Sequence, residues 1–252
     1  MREAGVAPGD RIVEIGPGVG SLTVALVDAG AEVLALELDR HLLPVLTEAL
    51  GGSSRVRIEQ GDALEVDLED LLVRVGSGDA PPWKVISNLP YNMAVPIIIR
   101  VLEEAPSVTG MFVMVQSEVA DRLAAEPGTK AYGAVTVKID YYAHCERVGS
   151  VPPTVFIPRP NVESALVRLV RRDTPAVEVD DPAAMFALVR AGFAQRRKTL
   201  GRALRPLLGD RARETLAAAG IDPSERAERL DLVRWAALAE AAEATVTREQ
   251  AP

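Results

Sequence analysis

The fold of this chain is decided by the stretch Arg11-Ile-Val-Glu-Ile-Gly-Pro-Gly-Val-Gly20, in which an apolar strand runs directly into a glycine-rich turn. Helical spacing follows over Ser21–Ala29, and a second apolar run follows over Glu32–Glu37. Strand, glycine turn, helix and strand in this order predict a βαβ unit, whose two strands lie parallel in one sheet.

The same alternation continues through the first two thirds of the chain. Further strands are predicted at Arg55–Gln60, Lys84–Ser87 and Gly110–Gln116, and further helices at His41–Leu50, Val95–Glu104 and Ser117–Ala125. Two β-rich runs, Ala134–Tyr142 and Val162–Val170, come next with no long helix between them, which predicts an antiparallel pair at one sheet edge. The predicted fold class is α/β, with a mainly parallel sheet.

The character of the sequence changes after residue 175. Beyond Pro182 the chain is rich in Ala, Leu and Arg, with helical periods and little strand signal. Gly220 suits the end of one helix, and Asp222-Pro223 suits the start of the next. We predict a first domain over residues 1–175 and a small all-helical domain over residues 176–252.

Composition limits the classes of function. The chain has 252 residues, of which 48% are hydrophobic and 25% charged, as in an ordinary globular protein. Its apolar stretches fall short of the roughly 20 residues that a membrane span needs, and its first residues lack the apolar run of a signal peptide. A single cysteine, Cys145, excludes an internal disulfide and a multi-cysteine metal site. The sequence predicts a cytoplasmic protein without a metal or a membrane partner.

Positive charge is concentrated in one segment. The net charge of −8 argues by itself against a polyanionic partner. Residues 190–205 nevertheless hold six cations and no Asp or Glu, namely Arg190, Arg196, Arg197, Lys198, Arg202 and Arg205. Two interpretations are open: a solvated helix face, or a surface that meets the phosphates of a nucleic acid.

A cofactor site is predicted at the carboxyl ends of the first three strands. Gly16, Gly18 and Gly20 let the backbone turn sharply and let a ligand approach closely. Glu37 ends the second strand, where a carboxylate can bind both hydroxyls of a ribose. Asp62 follows the third strand and can accept a hydrogen bond from an adenine amino group, or it can be an ordinary turn residue.

The kind of cofactor is indicated by Glu14, two residues before the first glycine of the turn. A carboxylate beside a pyrophosphate would be repelled, whereas S-adenosylmethionine carries no phosphate and has a cationic amino group and a sulfonium. Ser21 also stands where a dinucleotide-binding turn would have its third glycine. Both features favour S-adenosylmethionine over NAD.

A reaction site is predicted at the end of the fourth strand, in Asn88-Leu-Pro-Tyr-Asn92. The amine of an adenine is a poor nucleophile, because its lone pair is delocalised into the ring. The side-chain oxygen of Asn88 and a backbone carbonyl of Leu89 or Pro90 can accept its N–H bonds and stabilise the developing positive charge. The ring of Tyr91 can stack on the base. The alternative is a plain turn with a buried tyrosine.

A second aromatic element is Phe156-Ile-Pro-Arg-Pro-Asn-Val-Glu-Ser164. Two prolines two positions apart favour a rigid, extended arm, which can hold Phe156 against the other face of a base. The alternative is that Phe156 belongs to the core under this loop.

In combination and order, these motifs resemble those of the ribosomal RNA adenine dimethyltransferases of the KsgA/RsmA family. The resemblance extends over nearly the whole chain and includes Glu37-Leu-Asp39, Gly61-Asp-Ala63 and Phe193-Ala-Gln-Arg-Arg-Lys-Thr199. It implies a Rossmann-like, S-adenosylmethionine-dependent methyltransferase with a small helical C-terminal domain. The implied reaction is the transfer of two methyl groups to N6 of each of two adjacent adenosines near the 3′ end of 16S ribosomal RNA.

The resemblance also implies a role for each motif. The cofactor-binding residues would be Gly16, Gly18, Glu37, Asp62 and Asn88. The catalytic residues, which hold the target base, would be Asn88, Leu89, Pro90, Tyr91 and Phe156. The RNA-binding residues would be Arg196, Arg197 and Lys198. The partner would be 16S ribosomal RNA within a small ribosomal subunit or its precursor, and the protein would act as a monomer.

One departure concerns the start of the sequence. The family carries a Gly-Gln-Asn-Phe-like segment before its first strand that covers the cofactor, and residues 1–10 do not match it. We therefore expect a chain without this segment to bind S-adenosylmethionine weakly. Two alternatives remain: a macrolide-resistance-type 23S ribosomal RNA adenine methyltransferase, and a non-catalytic RNA-binding factor for ribosome assembly on the same fold. The sequences Asn88–Asn92 and Gln195–Thr199 favour the small-subunit enzyme over the 23S enzyme.

Overall fold

The chain forms two compact units, Met1–Ala120 with Ala143–Arg172, and Asp121–Tyr142 with Asp173–Pro252. The structure is a computed structural model that describes residues 3–76, 82–157 and 159–250, with backbone alone for 246–250. The strands are β1 Arg11–Ile15, β2 Glu32–Glu37, β3 Val56–Gln60, β4 Trp83–Asn88, β5 Val108–Gln116, β6 Ala143–Val151 and β7 Ser164–Arg171. The α-helices are α1 Ser21–Asp28, α2 Leu43–Ala49, α3 Leu68–Val75, α4 Ala94–Glu104, α5 Ser117–Leu123, α6 Ala134–Tyr142, α7 Pro182–Ala194, α8 Leu200–Ala203, α9 Arg205–Leu208, α10 Ala212–Ala218 and α11 Leu232–Gln250.

A seven-stranded mixed sheet in the order β3-β2-β1-β4-β5-β7-β6 is the basis of the first unit. Strands β1 to β5 pair in parallel, and β7 runs antiparallel between β5 and β6. The strand order changes direction between β1 and β4, which is the switch point where open α/β sheets bind ligands. The α/β class of the prediction is confirmed.

Strands β1 and β2 belong to the core of the first unit because nearly all of their residues are buried. All five residues of β1 are buried, and five of the six in β2. Such runs are typical of parallel strands that are covered on both sides. Around them packs one cluster of buried apolar residues, which are Ile12, Leu26, Ala31, Val33, Ala35, Leu46 and Ile86.

The second unit is helical and has a core of its own. Trp235 on α11 is fully buried at its centre, and the ring of Phe193 lies 6.0 Å from it, centroid to centroid. Tyr132 donates its hydroxyl to the carbonyl of Leu230 at 2.9 Å, which ties the segment before α6 to the segment before α11. The predicted helical C-terminal part is therefore present in the structure.

Two predictions about local structure were wrong. Ala134–Tyr142 is helix α6 and not a strand, and the partner of β7 is the unpredicted strand β6. Alternating β-branched residues favour a strand locally, but tertiary packing overrides this preference. In α6, Val137 and Tyr141, one helical turn apart, both join the core of the second unit. The unit boundaries therefore differ from the predicted division at 175/176, since residues 121–142 also belong to the second unit.

Helix α3 was absent from the predicted elements, although the sequence contains a signal for it. The Asp67 side chain accepts a hydrogen bond from the backbone N–H of Asp70 at 2.9 Å, as an N-terminal cap does.

Within the described ranges, none of the helices combines the length and apolar character that crossing a bilayer requires.

Arg171, the last residue of β7, closes the end of α4. Its guanidinium donates to the carbonyls of Leu102 and Val101 at 2.9 Å each, of Ala105 at 3.1 Å and of Val108 at 2.6 Å. The last carbonyls of a helix have no partner within the helix itself. Arg171 therefore joins the helix that follows the proposed reaction turn to the antiparallel part of the sheet.

We predict that Arg171→Ala lowers the free energy of unfolding by about 2–3 kcal/mol, because it removes charge-assisted hydrogen bonds to partly buried carbonyls. Arg74→Ala is the control, since the Arg74 side chain forms an exposed ion pair with Asp70 at 2.9 Å. The control should cost below about 0.5 kcal/mol. Urea unfolding followed by circular dichroism measures both, and equal losses for the two variants would contradict the prediction.

Candidate active site

The glycine-rich turn after β1 is bound to Glu37 at the end of β2. The backbone N–H of Gly18 donates to Glu37 Oε2 at 3.0 Å, and the N–H of Asp39 donates to Oε1 at 2.9 Å. Gly16 donates its own N–H to the carbonyl of Leu36 at 2.9 Å. These bonds fix the Glu37 carboxylate and leave it lone pairs for further donors, such as the hydroxyls of a ribose.

The turn also lies against the predicted reaction site. Gly16 has φ +70° and Gly18 has φ +59°, conformations that glycine adopts without strain. A Cβ added at Gly16 would lie 3.8 Å from the ring of Pro90. The glycine turn of β1 and the Asn88–Asn92 turn of β4 thus meet at the switch point of the sheet.

Asp62 fits both interpretations of the sequence. Its Oδ1 accepts a hydrogen bond from the N–H of Leu64 at 2.8 Å, which is the turn role. The neighbouring N–H of Gly61 donates to the carbonyl of Glu37 at 3.0 Å, so the Asp62 turn lies beside the end of β2. Oδ2 receives no hydrogen bond from the described part of the chain and can accept one from a ligand.

Glu14, the fourth of the five residues of β1, is a buried acid without a full set of hydrogen-bond partners. It is 2% exposed, and its Oε2 and the buried Thr23 Oγ1 both lack hydrogen-bond partners among the described residues. Burial raises the pKa of Glu14 to about 7; the nearby Thr23 hydroxyl lowers the pKa, and the charge of Glu37 raises it further. An unpartnered carboxylate oxygen beneath a glycine turn fits a ligand with a cationic group.

A cavity of about 270 Å³ brings together the predicted catalytic residues, and it is lined by Asn88, Leu89, Pro90, Tyr91, Phe156 and Pro160. Leu89 fixes the turn after β4 to the sheet: its side chain is 1% exposed, and its backbone N–H donates to the carbonyl of Met114 in β5 at 3.2 Å. Asn88 is exposed at the end of β4 and can reach a ligand in the cavity. Phe156 is half-buried at the cavity wall, which agrees with the lining role more than with the core alternative.

Two residues at this cavity were not among the predicted site residues. Pro160 lines it, and Ser164 forms a hydrogen bond of 2.7 Å between its Oγ and the hydroxyl of Tyr91. Both lie in the Phe156–Ser164 motif, but no local pattern of residues indicates that Ser164 faces Tyr91. The first of the two prolines of the predicted arm, Pro158, lies outside the described residues.

The predicted RNA-binding cations differ in their surroundings. Arg196 donates to the carbonyls of Lys130 at 2.7 Å and Tyr132 at 3.0 Å, and it lies 3.6 Å from a carboxylate oxygen of Glu228. Arg197 and Lys198 are exposed, and their side chains make no hydrogen bond or ion pair with the described residues. The guanidinium of Arg196 is thus partly engaged within the second unit, whereas the two cations after it face solvent.

Metal ligands were not expected. Among the residues that the structure describes, no group of three or more His, Cys, Asp or Glu side chains could hold a metal ion. Burial, with a smaller effect of Glu146, raises the pKa of Cys145 to about 12, so this thiol stays protonated at neutral pH.

The sheet order, the glycine turn with Glu37 and the turn after β4 define a Rossmann-like, S-adenosylmethionine-dependent methyltransferase. Comparison of the sequence with known families narrows this class. Residues 1–243 match the family described as "Ribosomal RNA adenine dimethylase". The chain belongs to this family, as its motifs predicted.

Curated relatives carry a more specific name, "Ribosomal RNA small subunit methyltransferase A". The protein of Cutibacterium acnes is 48% identical over 246 residues, which cover 94% of this chain and 81% of that protein. The protein of Geobacillus kaustophilus is 44% identical over 244 residues, which cover 94% of this chain and 83% of that protein.

Solved structures share the fold over most of the chain. A dimethyladenosine transferase from Plasmodium falciparum has a TM-score of 0.71 at 20% identity, and the match covers 92% of this chain and 90% of that one. The 23S rRNA methyltransferase ErmE has a TM-score of 0.68 at 25% identity, and the match covers 96% of this chain and 94% of that one. The predicted Rossmann-like methyltransferase fold is therefore confirmed.

Glu14 makes the stability of the ligand-free protein depend on pH. Its pKa is about 7 in the folded chain against an ordinary value of 4.5, so between these two values the folded chain keeps a proton that the unfolded chain has lost. The contribution of Glu14 to the free energy of unfolding is therefore fully present below about pH 4.5 and is lost as the pH rises through 7. We predict that the free energy of unfolding of the wild type falls by up to about 3 kcal/mol between pH 5 and pH 8 because of Glu14. In Glu14→Gln, which cannot ionise at this position, this decrease should be absent. Glu32→Gln, at an exposed position on β2, is the matched control and should keep the wild-type pH profile. Parallel profiles for wild type and Glu14→Gln would contradict the prediction.

Proposed function

We propose that this chain transfers methyl groups from S-adenosylmethionine to N6 of two adjacent adenosines near the 3′ end of 16S ribosomal RNA. Each adenosine becomes dimethylated during biogenesis of the small ribosomal subunit. The observation that carries the proposal is the cavity formed by Asn88, Leu89, Pro90, Tyr91 and Phe156 beside the glycine turn. It occurs in a chain of the ribosomal RNA adenine dimethylase family, whose near relatives are named for the small subunit.

The cofactor would lie at the carboxyl ends of β1, β2 and β3. Its methyl group is electrophilic because it is attached to a sulfonium. Glu37 would accept hydrogen bonds from the ribose, Asp62 Oδ2 would accept one from the adenine amino group, and Gly16 and Gly18 would permit close approach of the backbone. Glu14 would supply the negative charge that balances the cationic part of the ligand.

Acceptors at the end of β4 would activate the target amine. The Asn88 side-chain oxygen would accept a hydrogen bond from one N–H of the adenine amino group. The carbonyl of Pro90 already accepts the N–H of Met93 at 2.9 Å, whereas the carbonyl of Leu89 receives no hydrogen bond from the described residues. Leu89 is therefore our choice for the backbone acceptor. As the N6 lone pair forms its bond to the methyl carbon, the carbon–sulfur bond breaks, and the surplus N6 proton leaves to water.

Two aromatic rings would hold the base in place. A base must leave its stack before an enzyme can modify it, and unstacking costs a few kcal/mol. Stacking on an aromatic side chain returns about 1–3 kcal/mol per base. Tyr91 and Phe156 line the same cavity from two segments of the first unit, so both can contact one base.

The RNA would also meet the basic segment of residues 190–205. We assign phosphate contacts first to Arg197 and Lys198, because their side chains are exposed and make no hydrogen bond or ion pair with the described residues. Arg196 receives lesser weight, because its guanidinium is already engaged. With a small-subunit substrate, the proposed reaction would take place in the cytoplasm. Since one chain supplies every residue of the proposed site, the proposal includes action as a monomer.

A second candidate is methylation of 23S ribosomal RNA, which the similarity to ErmE favours over an unrelated methyltransferase. The two targets are distinguished by incubating the protein with labelled S-adenosylmethionine and separately purified immature 30S and 50S particles. Label in two adjacent adenosines of 16S RNA supports the proposal. Label confined to 50S particles would overturn it in favour of the second candidate.

Asn88→Ala should reduce turnover on 30S particles by about 10²–10³, the usual effect of removing one hydrogen bond made in a transition state. The matched control is Asn92→Ala, an exposed asparagine in the same turn, which should keep near-normal turnover. Label incorporation under single-turnover conditions measures both, with RNA binding measured separately. Near-normal turnover of Asn88→Ala would remove Asn88 from the mechanism.

The double variant Arg197→Glu with Lys198→Glu should weaken binding to 30S particles and flatten the dependence of affinity on salt. Two lost phosphate contacts change the slope of log affinity against log salt by about 1.5. The double variant Arg57→Glu with Arg74→Glu changes the net charge equally in the first unit and is the control; S-adenosylmethionine binding should stay unchanged in both. If the slope is unaltered in Arg197→Glu with Lys198→Glu, these two cations do not contact phosphates, and the alternative interpretation of a solvated helix face is supported.

A further inference from the structure

A hydrogen bond between two hydroxyl groups joins the two walls of the catalytic cavity. The hydroxyl of Tyr91 lies 2.7 Å from Oγ of Ser164. Tyr91 belongs to the turn after β4, and Ser164 is the residue where the loop that carries Phe156 and Pro160 enters β7. Among the described residues, this is the one side-chain hydrogen bond between the turn at 88–91 and the segment 152–164.

Ser164 is a fixed point in the sheet, and Tyr91 is not. The serine is 0% exposed, and its backbone pairs with Gln116 of β5 on one side and with Val151 of β6 on the other. Tyr91 is half-buried outside the strands, and its ring lines the cavity. The bond therefore links the hydroxyl end of the Tyr91 ring to a residue that is fixed in the sheet.

We propose that Ser164 is a positioning residue, whose hydroxyl holds the Tyr91 ring in the orientation that receives the target adenine. The inference rests on the proposed function and adds to it a residue that touches neither the base nor the cofactor. A ring that is oriented before the base arrives loses less conformational freedom on binding, so more of the stacking energy is available for holding the base. The same bond keeps the turn with Asn88 in register with the wall that carries Phe156.

The expected effect follows from the strength of one neutral hydrogen bond, which is about 0.5–1.5 kcal/mol. Ser164→Ala should therefore lower kcat/KM for 30S methylation about two- to tenfold. Tyr91→Phe keeps the ring and removes only its hydroxyl, so it should have the same effect. Because both variants delete one and the same bond, the double variant should lose no more than either single variant.

Two readouts test the inference. The first is the double-mutant cycle on 30S methylation, at a temperature where thermal unfolding shows every variant to be folded. The second needs no catalysis: a short RNA with 2-aminopurine at the target position should show quenched fluorescence when this base stacks on Tyr91, and Ser164→Ala should quench less. Ser150→Ala removes an exposed hydroxyl from the neighbouring strand β6 and is the control for both.

The outcomes separate the inference from the proposed function. If the wild-type chain fails to methylate 30S particles, the proposed function is wrong, and the quenching comparison alone decides the role of Ser164. If the wild type is active while Ser164→Ala equals it in rate and quenching, the inference is overturned and the function stands. Losses that multiply in the double variant, or a Ser164→Ala effect on melting temperature alone, also overturn it.

Discussion

The site of this protein depends on the point where the pairing between the parallel strands β1 and β4 ends. Strand β1 pairs with β4 only over Arg11–Val13, so the regular ladder between them ends two residues before β1 does. The backbone N–H of Ile15 donates there to a side chain of β4, the buried Ser87 Oγ, at 2.7 Å. A buried N–H without a partner is costly, so this side chain stabilises the open end of the strand pair. The crevice places the glycine turn of β1 beside the reaction turn of β4.

Buried negative charge is the second constraint on the site. Glu14 and Glu37 are both nearly inaccessible to solvent, on adjacent strands beneath the glycine turn. Glu37 is stabilised by two backbone N–H groups, whereas Glu14 keeps one oxygen without a partner and has a raised pKa. This arrangement costs stability in the ligand-free chain and is relieved by a cationic ligand. Such a buried acid would disfavour a phosphate-bearing cofactor and favour the cationic S-adenosylmethionine of the proposed function.

Some cations of the basic segment at 190–205 make contacts within the protein, whereas others face solvent. The chain is acidic as a whole, so the six cations at 190–205 concentrate positive potential locally. Arg196 contributes to the folding of the second unit through backbone carbonyls, and Arg205 pairs with Asp210 at 3.0 Å. The cations that remain free to meet phosphate are fewer than the sequence count suggests.

The sequence by itself determined the elements whose signal is local. The bounds of β1 and β2 were predicted without error, because apolar runs buried on both faces and ended by glycine or by an acid leave little ambiguity. The Asn88–Tyr91 turn and Phe156 were predicted as one site, and the cavity brings them together. Tertiary structure alone decided the helical state of α6, the engagement of Arg196, the pKa of Glu14 and the bond between Tyr91 and Ser164. Each of these depends on packing between segments distant along the chain, and no local pattern of residues encodes such contacts.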